Sequence, residues 1–208
     1  MQVNEGDIRL NRLDLGGGTL YDIGIYCINA ARYLFRDDPI EVFAFSANTG
    51  EGRFEDVDEM TSAVLRFPGD RLATFTTSFG SSDVSAYHVV GTKGHLRVEQ
   101  AYETSTDMIH HLTLDGTTRK RVFPKRDQFA PELLYFSECI KNDGDPEPSG
   151  LEGLADVRII RALYDSAGIG KPVKLEGFER KKGPPPAQEI KRPPIKKPSL
   201  IHASPPSG

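Results

Sequence analysis

The chain has 208 residues, 38% of them hydrophobic, and a formal net charge of −4. That length suits one ordinary domain, or one domain with a tail. Residues 178–208 hold seven Lys/Arg against two Asp/Glu, which leaves an acidic body at −9 and a basic tail at +5. An acidic body argues against nucleic-acid binding, which needs a basic face. No apolar run reaches the length of a membrane span, and no basic segment followed by an apolar one opens the chain. The expectation is a cytoplasmic protein. Cys27 and Cys139 each sit in an apolar helical stretch and read as buried free thiols rather than a disulfide.

Taken in chain order, residues 1–15 are polar and irregular, and Gly16-Gly17-Gly18 breaks the chain. Leu20, Ile23, Cys27, Ala31 and Leu34 then recur at helical spacing, which predicts a helix over 18–35 with that stripe inward. Asp37-Asp38-Pro39 ends it, because proline cannot continue a helix. Strands are predicted at 40–47, 59–67, 71–79, 85–91, 95–100, 108–114 and 118–123, where β-branched and aromatic residues alternate between turn signals. Pro68-Gly69-Asp70, Thr92-Lys93-Gly94 and Asp115-Gly116 read as hairpin turns, so consecutive strands must run antiparallel. In 71–79, Ala73, Phe75, Thr77 and Phe79 form the helix-covered face. Thr74, Thr76 and Ser78 form the other, which is free to pair with a second sheet face.

Two further helices are predicted. Residues 128–142 place Phe129, Leu133, Phe136 and Ile140 on one face, and 151–168 group Leu154, Val157, Ile160 and Tyr164. A short strand at Lys171–Leu175 closes the body. Eight of the fifteen prolines lie in 184–206, so the segment 178–208 reads as a disordered or polyproline-like tail. Helix, strands, then helices is the order of an α+β domain, with helices packed on one face of a large, open, mainly antiparallel sheet.

The first helix carries a second stripe. Asp22, Tyr26, Asn29 and Tyr33 share one face, and Asp22 and Tyr26 are one turn apart. A carboxylate beside a phenol can orient a substrate hydroxyl and manage its proton. With an ordinary pKa of about 10, the phenol needs a nearby cation to act as a base. The bland alternative has Asp22 complementing the helix N-terminus or paired with an arginine, and the tyrosines as packing. Gly16-x-Gly18-x-x-Tyr21 lacks the third glycine of a dinucleotide fingerprint, and no strand precedes it. It reads as a sharp turn into the helix, or a place where backbone approaches a ligand closely. The histidines show no metal-ligand spacing, and no metal site is expected.

The segment Gly16-Gly17-Gly18-Thr19-Leu20-Tyr21-Asp22-Ile23-Gly24-Ile25-Tyr26 resembles the GGG-x-x-x-D-x-G-x-(H/Y) stretch of the Gfo/Idh/MocA oxidoreductases. Tyrosine at 26, where inositol dehydrogenases have histidine, points to the glucose–fructose oxidoreductase branch. Asp38-Pro39-Ile40-Glu41-Val42, Gly91-Thr92-Lys93-Gly94, Asp127-Gln128-Phe129, and Asp156-Val157-Arg158 through Gly170-Lys171-Pro172-Val173 agree. The resemblance covers about residues 7–176.

The resemblance implies a substrate and oligomerisation domain over residues 1–177. It implies a glucose–fructose oxidoreductase C-terminal-like fold, a sugar or polyol substrate, NAD or NADP as cofactor, and homo-oligomers formed through the sheet face. It places Asp22 and Tyr26 in catalytic positions, and Arg9, Gly17, Gly18, Asn29 and Gln128 near substrate or cofactor. The family's N-terminal Rossmann domain, with its Gly-x-Gly-x-x-Gly/Ala and its lysine, does not occur in these 208 residues. They are therefore expected to be inactive alone and to bind no cofactor without that domain in cis or trans. The competing expectation is a stand-alone, non-catalytic binding or assembly module of the same fold.

Overall fold

The structure, a computed structural model, describes residues 1–10, 12–147 and 149–179. They fall into two compact units: Met1–Asp83 with the segment from Glu147 onward, and Val84–Pro146. The proline-rich stretch lies almost wholly outside the described residues.

In the first unit, alternation of side chains builds a sheet with one face inward. Strands β1 (Glu41–Ala47), β2 (Met60–Phe67), β3 (Arg71–Ser78) and β8 (Val173–Lys174) pair in the order β3-β2-β1-β8, all antiparallel. Val42 faces Leu65 and Ala44 faces Ala63 across the β1–β2 ladder, and these four are buried. Over this face pack α1 (Ile25–Phe35) and α3 (Gly150–Ile169), contributing Ile28, Ile159, Ile160 and Leu163 to the core. The opposite face, with Phe43, Phe45, Val64, Leu72, Thr74 and Thr76, is only partly covered or exposed. Ser78 departs from the expectation for that face. It is buried, and its hydroxyl accepts from the Gly80 amide, because the N-terminal segment lies alongside through the Gln2–Gly80 bridge.

The first helix is not uniform. Leu20–Gly24 form a π-helical turn, and regular α-helix starts only at Ile25. Its inward stripe is Leu20, Gly24, Ile28 and Arg32, not the predicted row ending in Leu34, which is exposed. In α3 the predicted Leu154 is likewise exposed, and the buried row runs through Glu152, Asp156, Ile159, Leu163 and Ser166. Both errors have one cause. The Arg32 guanidinium sits between Glu152, Asp156 and Asp38, so charged residues occupy positions that an apolar periodicity excludes. Ser149 caps α3 by accepting from the Glu152 amide, and Gly170 ends it in the left-handed region. The buried Ser166 hydroxyl receives the Ala44 amide and donates to the Lys171 carbonyl, tying α3 to β1.

The second unit holds the sheet β4 (Ala86–Gly91), β5 (Gly94–Glu99), β6 (Met108–Leu114) and β7 (Thr117–Phe123), paired in sequence order and antiparallel. Asp115 and Gly116 both have positive φ, as a tight two-residue hairpin turn requires. Helix α2 (Phe129–Lys141) follows, with Phe129, Leu133, Phe136 and Ile140 exposed. The fold class is α+β. Its strands are divided between two four-stranded sheets. Neither Cys27 nor Cys139 is in a disulfide, and each is half-buried rather than fully enclosed.

Glu59, buried just before β2, holds the preceding loop. Its carboxylate accepts from the Thr49 hydroxyl at 2.6 Å and the Thr49 amide at 2.8 Å. Those bonds outweigh the effect of burial and, with Arg53, keep the carboxyl below its ordinary 4.5. A carboxyl depressed in the fold stabilises it above the ordinary value, and that contribution is lost as pH falls through the folded value. The melting temperature should therefore fall on acidification below about 4.5. Glu59→Gln should melt lower near neutrality and flatten the acid limb. Thermal melts of both proteins across the acid range check this.

Candidate active site

The turn that leads into the first helix is made from its own backbone. The Gly16 amide donates to the Leu13 carbonyl, Gly17 to Arg12 and Gly18 to Arg9, at 3.1, 3.2 and 3.1 Å. All three glycine amides are thus spent internally, and none is left to cradle a phosphate. The glycine turn therefore does not fit the pyrophosphate of a dinucleotide, which needs free amides at a helix N-terminus.

Gly18 is the tightest point of the turn. Its φ is +97°, and a Cβ there would lie 2.6 Å from the Tyr164 hydroxyl, 2.8 Å from Leu13 Cδ2 and 2.9 Å from Asp58 Oδ1. Left-handed backbone and overpacking together should make Gly18→Ala cost roughly 2–4 kcal/mol. Gly16→Ala also meets positive φ but has no atom within 4 Å of its Cβ. It should cost only the backbone part, about 1–2 kcal/mol. Denaturant unfolding of the two variants checks the difference.

The π-helical turn carries Asp22. Its carboxylate pairs with Arg9 Nε at 3.1 Å, and Arg9 also binds Asp7 at 3.0 Å. Burial alone would lower the Arg9 pKa, but Asp22 and then Asp7 outweigh it and hold the guanidinium above its ordinary value. Asp22 remains about 30% exposed by side chain despite the pairing. Tyr26 follows one turn later, at the start of the α-helical stretch, and is 54% exposed. The arginine partner foreseen by the bland alternative is present, and so is the openness required by the catalytic one. Ile8 and Leu15, in the segment that contributes Arg9 and the glycine turn, are 79% and 71% exposed, and Tyr33 on the same helix 47%.

Among the other predicted positions, Gly17 and Gly18 are buried in the turn. Asn29 is exposed, and its amide donates to Asp156 at 3.2 Å, on the edge of the Arg32 cluster. Gln128 is exposed and stands before α2 in the second unit. Arg9, Gly18 and Asp22 are therefore brought together with Tyr26 one turn on, while Asn29 is drawn into a structural ion network. Sequence reasoning missed the polar group behind the turn. Asp58 accepts from the hydroxyls of Thr19, Thr61 and Tyr164. Among the described residues no cluster of His, Cys, Asp or Glu is arranged to hold a metal ion, and no helix is long and apolar enough to cross a membrane.

The chain resembles known proteins in both sequence and fold. Residues 2–97 match the profile of the GFO/IDH/MocA C-terminal domain. The D-xylose 1-dehydrogenase [NADP(+)] of Haloarcula marismortui is 36% identical over 162 residues, covering 77% of this chain and 45% of that protein. D-xylose 1-dehydrogenase (NADP(+)) 2 of Haloferax volcanii is 31% identical, covering 82% and 51%. The solved aldose-aldose oxidoreductase of Caulobacter crescentus, in complex with glycerol, superposes with a TM-score of 0.76 at 34% identity, over 84% of this chain and 52% of that one. The chain belongs to the GFO/IDH/MocA family and carries its C-terminal domain. It spans about half the length of the curated relatives it matches.

Proposed function

We propose that this chain is the substrate-side and oligomerisation half of an NAD(P)-dependent sugar or polyol oxidoreductase, with Asp22 and Tyr26 as its proton-handling pair. The observation that carries the reading is the state of that pair. Asp22 is anchored by Arg9 yet still about 30% exposed, and Tyr26 is 54% exposed on the same helix. Asp22 would orient the reacting hydroxyl of the sugar, and Tyr26 would take or return its proton. Because the glycine amides are satisfied internally, the dinucleotide belongs to a Rossmann domain outside these residues, supplied in cis or trans. The exposed Ile8 and Leu15, in the segment that contributes Arg9 and the glycine turn, support a covering partner there, since exposed apolar residues beside a site suit an interaction surface. Aldoses are the favoured substrates and NADP the favoured cofactor, because both haloarchaeal relatives are D-xylose dehydrogenases that carry NADP(+) in their names. Two cysteines outside any disulfide, Cys27 and Cys139, suit a cytoplasmic location. Joining these residues to a Rossmann domain and assaying NADP-dependent aldose oxidation tests the reading.

We also propose that the open face of the first sheet pairs two copies. Phe43 and Phe45 stack edge to face at 4.7 Å on β1, and Phe45 is 65% exposed. Light scattering should give a dimer, and Phe45→Lys with Val64→Lys should give a folded monomer. A monomer for the parent at high concentration would overturn the assignment.

A further inference from the structure

We propose that Asp58 and Tyr164 are positioning residues for Asp22, acting through the Gly18–Thr19 backbone. The proposal deepens the reading above, on which it rests for what Asp22 does, but it stands on its own for how Asp22 is held.

Four elements converge on the Asp58 carboxylate and its neighbours. Thr19 from the turn, Thr61 from β2 at 2.7 Å and Tyr164 from α3 at 2.9 Å all donate to it, and Thr77 from β3 donates to Thr19 at 3.1 Å. Burial, and then the Asp58 charge, push the Tyr164 phenol far above its ordinary value, so it remains a donor. Thr19, Thr61 and Thr77 are buried. A carboxylate met by three hydroxyls from separate elements fixes their relative positions, because any displacement leaves a buried polar group without its partner.

The backbone of Gly18 is pressed against this group, since its missing Cβ would clash with both the Tyr164 hydroxyl and Asp58 Oδ1. Gly18 is also the link between the two members of the site's ion pair. Its amide donates to the Arg9 carbonyl at 3.1 Å, and its carbonyl accepts from the Asp22 amide at 3.4 Å. The residues that follow Thr19 form the π-helical turn itself. Such turns are rare and are frequently found at functional sites. Here the holding group is the Asp58 carboxylate, and the side chain it presents is Asp22.

Hydrogen–deuterium exchange on the 208-residue chain tests this. Thr19→Val and Tyr164→Phe each keep the shape and remove one hydroxyl. Each should raise amide exchange over Leu20–Gly24 about tenfold, the size of one lost hydrogen bond to a charged group, while β1 and β2 keep their protection. Thr19→Ser restores the hydroxyl and should return the parent rates. Unchanged exchange over Leu20–Gly24 in both variants would overturn the proposal. So would an equal rise in β1 and β2, or a Thr19→Ser no better than Thr19→Val. If Thr19→Val does not fold, Tyr164→Phe, which loses a single oxygen, decides the matter. Exchange reads how firmly the turn is held and is blind to proton transfer. A proton-handling role disproved by assay leaves this result standing, and the converse also holds.

Discussion

Replacing Arg32 by methionine should be among the most damaging single substitutions in the first unit, costing about 3–5 kcal/mol. The guanidinium is buried on α1, with Nε 2.9 Å from Asp38 and a terminal nitrogen 2.6 Å from Glu152, and it also binds Asp156. Burial alone would lower its pKa, but Asp156 leads the carboxylates that hold it above the ordinary value. Methionine keeps much of the side-chain volume and removes the charge, leaving two carboxylates buried against α1 with no cation. That uncompensated burial, rather than the lost attraction, is the larger part of the cost.

The pH dependence gives the same prediction a second signature. Burial raises the Asp156 pKa above its ordinary 3.8, against the pull of Arg32 and Asn29 and with a further push from Glu152. A carboxyl raised in the fold contributes its stability below its ordinary value and loses it as pH rises through the folded value. Removing Arg32 takes away the leading opposing charge and enlarges that effect. Arg32→Met should therefore be mildest in acid and most severe near neutral pH, as urea denaturation at the two pH values would show. Changing Glu152 and Asp156 to leucine in the same background should recover much of the loss.

The same cluster explains where the sequence misleads. Strands β1 to β7 are legible because their side chains alternate and their turns carry Pro-Gly, Lys-Gly and Asp-Gly. The helices are legible as helices but not in their facing, because Arg32, Glu152 and Asp156 are inside and Leu34 and Leu154 outside. Apolar periodicity has no way to see charges that satisfy one another across elements 120 or more positions apart. The π-helical turn is equally silent, since no residue spacing announces it. Asp22, Tyr26 and the glycine turn stand out in the sequence because they lie together in the chain. Asp58, Thr61 and Tyr164 do not, since only the fold gathers them around Thr19. The separation of the strands into two sheets also leaves no mark, because every hairpin turn looks alike from one sheet to the next.

The second large effect belongs to Tyr26. The most direct measurement joins the N-terminal half of the Haloarcula marismortui relative ahead of Met1 and follows NADP reduction with D-xylose. Tyr26→Phe keeps the ring and removes only the group assigned to the proton. It should lower kcat/KM by about 10²–10⁴-fold, the range for a lost general acid–base, while the thermal midpoint stays with the parent. Asp22→Asn, which weakens both the Arg9 pair and the hold on the substrate hydroxyl, should lower it in the same direction. Turnover that survives both substitutions to within about twofold would contradict the assignment, because a group acting in the transition state cannot be removed without loss of rate.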